Sequence, residues 1–269
     1  MSLCKKKTSK NNLKKLLIDS FNTNHSRIAL CINGNRYSYN DIFLLALKIS
    51  KALKKENTKA NRPIGIYSNN SLLAYGSILC CLLLKRPFVY LDPNYPTKRL
   101  INIIDQCSPQ YIISEFPTLP NSLIREFYEL NPKFIEDITV YTEIASSIEK
   151  FSANICYIKF TSGSSGVPKG VPITTENVES FLYSASKIIF IKTKDRVIQT
   201  FNLSFDLSIG TILLTWSKGA SLYVTQIKDL ADITNFIKKN KITIWFSVPT
   251  TLGLILNEKY KKNNLLSTL

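Results

Sequence analysis

A layered α/β fold with mainly parallel strands is predicted from three observations. Strand-like and helix-like segments alternate along most of the chain, the pattern of parallel sheets joined by crossover helices. At 45% hydrophobic and 20% charged residues, the composition is that of a globular protein and excludes disorder of the whole chain. The 269 residues suffice for one large domain or two modest ones with a buried core.

Each element follows from local pattern. Ile42, Leu45, Ala46, Ile49 and Leu53 recur at helical spacing, with Asp41 available as N-cap. Residues 64–67 read as a short strand, and an apolar helix of about 71–84 follows. Residues 88–91 form the next strand, which Asp92-Pro93 ends. Thr97 can cap a helix carrying Leu100, Ile101 and Ile104, and residues 111–113 are another strand. Pro117, Pro120 and Pro132 break the stretch 115–150 into loops and a short helix near 121–130. This predicts a seam between sub-units of about 25–150 and 151–269. The second sub-unit opens with a strand at 155–160 and continues with strands at 197–201, 220–224 and 242–248. Helices near 176–189, 207–215 and 229–239 lie between them. Leu265 to Leu269 lack cap or tail character, so a chain stopping inside a fold is expected.

Charge and cysteine usage narrow the classes. The net charge is +16, from 35 Lys and Arg against 19 Asp and Glu. A polyanion partner would explain it, but the lysines are scattered and their short runs suit helix ends and solvated faces. No nucleic-acid recognition motif and no interleaving of basic and aromatic residues is present, so nucleic acid is not an expected partner. Cys4, Cys31, Cys80, Cys81, Cys107 and Cys156 form no C-x-x-C pair and read as buried free thiols of a reducing compartment. With a single histidine, His25, neither a metal site nor a Ser-His-Asp triad is expected. The most apolar run, 72–84, is shorter than the roughly 20 residues a membrane span needs, and no targeting segment is visible. A cytoplasmic protein without membrane contact is expected.

The strongest local signal is Thr161-Ser162-Gly163-Ser164-Ser165-Gly166-Val167-Pro168-Lys169-Gly170, just after the strand at 155–160. Glycines let the backbone approach phosphate oxygens, hydroxyls and free N–H groups donate to them, and Lys169 adds positive charge. A Walker A loop is excluded by spacing, since Lys169 falls three residues after Gly166 and precedes Gly170. The alternative is a surface loop of small polar residues.

The run Tyr157 to Val171 closely resembles the phosphate-loop signature of the AMP-forming synthetases, a family that includes acyl-CoA synthetases, nonribosomal peptide synthetase adenylation domains and D-alanine–carrier protein ligases. Arg36-Tyr37-Ser38-Tyr39-Asn40-Asp41, the segment Lys85 to Pro96 with Arg99, and Phe205-Asp206-Leu207-Ser208 resemble three further motifs, in family order and spacing. The resemblance implies the N-terminal part of an αβαβα adenylate-forming fold, without the β-barrel part and small C-terminal domain. It implies amino-acid adenylation with ATP and Mg2+, then transfer to the phosphopantetheine thiol of a carrier protein. Thr161, Ser162, Gly163, Ser164, Ser165, Gly166 and Lys169 would hold the ATP phosphates, the serines as donors rather than nucleophiles, so no residue is assigned as catalytic. Asp206 would pair with the substrate ammonium, although it would also serve as N-cap of the helix at 207–215. Leu207, Gly210 and Phe246 are candidate pocket residues, with Gly210 leaving room.

Two departures matter. Thr175 stands where relatives often carry a histidine. The segments that hold adenine, magnesium and ribose, and a C-terminal lysine, would follow Leu269. The expectation is therefore part of a larger or split enzyme, completed by a second chain in the split case. The alternative is a catalytically inactive truncated remnant with at most weak nucleotide binding.

Overall fold

The structure is a computed structural model that describes residues 12–54, 62–120, 123, 127–130, 138–143, 154–162, 167–226, 229, 233–249 and 253. The first part runs α1 (Leu13–Thr23), β1 (Ile28–Ile32), β2 (Asn35–Ser38), α2 (Tyr39–Lys54), β3 (Ile64–Tyr67) and α3 (Leu72–Leu84). There follow β4 (Phe88–Leu91), α4 (Thr97–Cys107), β5 (Tyr111–Ser114), β6 (Phe127–Leu130) and β7 (Thr139–Glu143). The remainder is β8 (Ile155–Ser162), β9 (Pro168–Thr174), α5 (Thr175–Ala185), β10 (Arg196–Gln199), α6 (Asp206–Ser217), β11 (Ser221–Val224), α7 (Ile233–Asn240) and β12 (Ile244–Trp245).

The strands form two sheets. One is five-stranded, in the order β12-β10-β11-β1-β2, parallel except for β2. The other is seven-stranded, in the order β6-β7-β5-β3-β4-β8-β9, with a parallel centre and antiparallel edges. The expected seam near 150 falls within this second sheet, because β7 and β8 both belong to it.

Strand alternation builds five layers. Leu30, Val197 and Leu222 point from the first sheet into a shared core, and so do Ile64, Ile66, Phe88 and Tyr111 from the second. The helices α2, α3 and α6 fill the space between, which explains why α3 is apolar on every side. On the outer face of the first sheet, Ile198 and Tyr223 pack on Ile233 and Ile237 of α7. On the outer face of the second, Val89, Leu91, Ile112 and Ile158 pack on Leu100, Ile103 and Ile104 of α4. Trp216 of α6 anchors the middle layer: it is fully buried, stacks edge-on with Phe21 and Tyr75, and donates from Nε1 to the Ala29 carbonyl at 3.1 Å.

The structure corrects several sequence expectations. Of the short helix expected near 121–130, Leu123 is helical, whereas Phe127–Leu130 form a strand whose backbone pairs antiparallel with β7. Its Phe127 and Tyr128 favour strand once such a partner exists. The β1–β2 hairpin, α1, β7 and β9 were not anticipated. Asp41 is not the N-cap of α2: Ser38 Oγ accepts from the Asp41 N–H at 3.1 Å, and Asp41 Oδ2 accepts from the Ser38 N–H at 2.7 Å. The strand expected at 242–248 shortens to Ile244–Trp245. Cys31, Cys80, Cys81, Cys107 and Cys156 are free and buried, and burial pushes the Cys107 and Cys156 thiols up to about 12. Cys4 lies outside the described residues. Among the described residues no helix is long and apolar enough to cross a membrane.

Candidate active site

The C-terminal ends of parallel strands converge on one region, where open α/β sheets bind ligands. Asp92, just past β4, accepts on Oδ2 from Asn202 Nδ2 at 2.8 Å, Asn202 lying in the turn after β10. Its Oδ1 accepts from the Asn94 N–H at 2.9 Å. This buried carboxylate therefore clamps the ends of strands from both sheets.

Between those ends runs β8. A strand places every second side chain on one face, so Tyr157, Lys159 and Thr161 share the face directed at the middle layer. Tyr157 donates its hydroxyl to Asp206 Oδ1 at 2.6 Å. Burial, then that hydrogen bond, push the phenol well above its ordinary value, so it stays a donor. Lys159 is buried and donates from Nζ to the Leu203 carbonyl, in the turn that leads into α6. Burial pulls its ammonium down to about 7, with the Asp206 carboxylate opposing that shift. Thr161 is exposed and pairs across the hairpin with Lys169 of β9, which is also exposed.

Asp206 is the first residue of α6, and the N-cap position belongs to Phe205. Its carboxylate therefore does not cap the helix, although the helix dipole favours a negative group there. Asp206 Oδ2 has no hydrogen-bond partner among the described residues, and the residue is exposed. It stands at the edge of a cleft of about 160 Å³ lined by Tyr157, Ile173, Phe181, Leu207, Gly210 and Leu213, among others. The arrangement offers one open carboxylate oxygen beside a mainly apolar hollow, which suits a cation that carries an apolar group.

The structure thus brings Asp206, Leu207 and Gly210 together. Phe246 does not line this cleft; its ring lies against Phe201, with centroids 5.7 Å apart. Thr161 and Lys169 face each other at the mouth of the β8–β9 hairpin. Gly163, Ser164, Ser165 and Gly166, and the side chain of Ser162, lie outside the described residues. Among the described residues no group of three or more His, Cys, Asp and Glu side chains is placed to hold a metal ion. Reasoning on the sequence missed Tyr157, Lys159 and Phe181 as site residues. A lysine within the apolar run Cys156-Tyr157-Ile158-Lys159-Phe160 was the available signal for one of them.

Comparison with known proteins bears on the fold and the family. The chain is 25% identical over 254 residues to bacitracin synthase 3 of Bacillus licheniformis, a match covering 92% of this chain and 4% of that protein. Among solved structures, the adenylation domain AlmE of Vibrio cholerae, bound to glycyl-adenosine-5'-phosphate, superposes with a TM-score of 0.74 at 20% identity, over 96% of this chain and 53% of that one. The o-succinylbenzoate CoA synthetase MenE of Bacillus subtilis, holding its acyl-adenylate intermediate, gives a TM-score of 0.76 at 18% identity, over 93% of this chain and 66% of that one. The two structural likenesses carry the fold. The model of the family described as AMP-binding enzyme matches residues 18–269, nearly the whole sequence, and the chain belongs to that family of adenylate-forming proteins.

Proposed function

We propose that this chain forms the amino-acid and phosphate side of an enzyme that adenylates an amino acid. The observation that carries the reading is the open carboxylate of Asp206, held by Tyr157 on the same strand that runs into the glycine-rich loop. Four strand residues separate Tyr157 from Thr161, about 13 Å at 3.3 Å per residue. That span accommodates an amino acid held at one end and a triphosphate at the other.

In the proposed reaction the substrate carboxylate oxygen attacks the α-phosphorus of ATP. The new O–P bond forms as the bond to the β-phosphate oxygen breaks, and pyrophosphate leaves. Asp206 binds the α-ammonium and so orients the carboxylate, a positioning role. Thr161, Ser162, Gly163, Ser164, Ser165, Gly166 and Lys169 bind the β- and γ-phosphates and stabilise the charge that builds there. Mg2+ would neutralise phosphate charge when bound; its ligands, and those of adenine and ribose, belong in this reading to segments beyond residue 269 or to a second chain. The aminoacyl group then passes to the phosphopantetheine thiol of a carrier protein. AlmE and MenE, with their bound adenylates, support a reading in which this fold holds such an intermediate.

Amino-acid-dependent ATP–pyrophosphate exchange tests it, with the complete polypeptide that contains these residues or with a chain supplying the later segments. Exchange with one amino acid and not with its competitors is expected. No exchange with any amino acid in that complete assembly overturns the reading.

A further inference from the structure

We infer that Phe181 of α5 is a specificity-determining residue that closes the substrate cleft beneath Gly210 and restricts it to compact apolar side chains. The inference rests on the adenylation reading above and adds a residue and a substrate class to it.

Gly210 lies four residues, one helical turn, after Asp206, so both occupy the same face of α6. A ligand ammonium held at Asp206 therefore has Gly210 directly along the helix from it. The missing side chain would open that direction, but the Phe181 ring occupies it: a Cβ at position 210 would meet Phe181 Cε1 and Cζ at 3.0 Å each. The ring is 43% exposed, unusual for phenylalanine in a helix packed against another helix. Its exposed part lines the cleft along with Leu207, itself 39% exposed. Ile173, Val178 and Leu213 extend the apolar lining, and Asn177 is the one uncharged amide among the lining residues. The hollow measures about 160 Å³, close to the roughly 150 Å³ of an apolar cavity that takes up benzene. This matches an apolar side chain up to about the size of a single benzene ring, and among the described residues lining the cleft no charged group besides Asp206 is present to meet a second charge.

The test is a panel of exchange assays on the complete polypeptide. Alanine, valine, leucine, phenylalanine, tryptophan and lysine are compared by kcat/KM in the wild type, Phe181→Ala and Phe181→Leu. The wild type should prefer valine, leucine or phenylalanine. Phe181→Ala should shift the tryptophan-to-valine ratio upward by at least tenfold, on the scale that one or two buried methylenes give, and Phe181→Leu by less. Thermal melts of both variants confirm folding, which the half-exposed position favours. A wild type that exchanges with valine, leucine or phenylalanine but whose tryptophan-to-valine ratio stays fixed in both variants overturns the role of Phe181 and leaves the adenylation reading standing. A wild-type preference for lysine or tryptophan overturns the substrate class. A wild type that exchanges with nothing removes the adenylation reading itself, and this inference with it.

Discussion

The two ends of the candidate site are built differently. At the carboxylate end, Asp206 is met by Tyr157 at 2.6 Å, and the turn before it is tied down by the buried Lys159. At the end proposed to bind phosphate, Thr161 and Lys169 are exposed, and Lys169 has no side-chain partner among the described residues. One end is pre-organised from beneath by the core, whereas at the other Lys169 and Thr161 are placed by the β8–β9 backbone pairing, braced from α4 by the Gln106 Nε2 donor to the Pro168 carbonyl at 2.8 Å. Substitutions at the carboxylate end should therefore alter substrate choice and folding together, and those at the phosphate end should alter ATP handling with little effect on folding.

The largest expected effect is at Asp206. Asp206→Ala removes a charge-assisted contact and should raise the KM for the amino acid on the order of 100-fold, with the KM for ATP nearly unchanged. Exchange kinetics with each substrate varied in turn measure that split, and equal losses for both substrates would erase the proposed division between the ends.

Lys159 gives the next effect, on stability. The folded value of about 7 lies below that of an unfolded lysine, about 10.4, so between them the unfolded chain holds a proton that the folded chain has released. Stability from this group rises with pH through that window by about 1 kcal/mol per unit, is fully present above it, and is lost progressively as pH falls from about 10.4 to about 7. Lys159→Met removes the titration and should be the more stable protein below pH 7. Denaturant melts from pH 6 to 9 check this through the difference between the two proteins, because buried thiols and phenols push the other way at the alkaline end. A constant difference across the range contradicts the assignment.

Lys169→Ala should weaken ATP about tenfold in exchange assays while shifting stability by less than about 0.5 kcal/mol. A loss of several kcal/mol in its melt would show the phosphate end to be braced like the other. Smallest is Tyr157→Phe, which removes one donor to Asp206 and should cost about 1 kcal/mol, a several-fold rise in the KM for the amino acid. A change confined to the KM for ATP would contradict the geometry.

Much of the fold was legible in the sequence. The central parallel strands and the helices α2 to α6 announce themselves as continuous apolar runs and helical spacing, bounded by breakers such as Asp92-Pro93. The layered αβαβα arrangement followed from the family resemblance and is the arrangement found. Edge strands were not legible, for reasons of composition. In β9, Pro168, Gly170 and Pro172 read as loop, yet an edge strand paired on one side tolerates them. The polar β2 hides a hairpin that Asn33-Gly34 could have revealed: both residues have positive φ, 53° and 80°, as a tight type I′ turn requires.

For the site, Asp206, Leu207 and Gly210 were legible as a motif, but the partners that shape them were not. Tyr157 lies 49 residues from Asp206, and Leu203 lies 44 residues from Lys159. Those contacts depend on how β8 faces the turn before α6, which no local pattern encodes. The space that Gly210 was expected to leave is occupied by Phe181, from a helix of different periodic signal. Phe246, named from its motif, packs on Phe201 instead of lining the cleft.

The central claim is that Asp206 reads a substrate ammonium. Its most direct test compares the preferred amino acid with its deaminated analogue, the same acid without the α-amino group, in ATP–pyrophosphate exchange by the wild type and Asp206→Ala. A kcat/KM preference for the amine on the order of 100-fold is expected in the wild type, with its near disappearance in the variant. Equal use of both acids by the wild type, or an undiminished preference in Asp206→Ala, would contradict it.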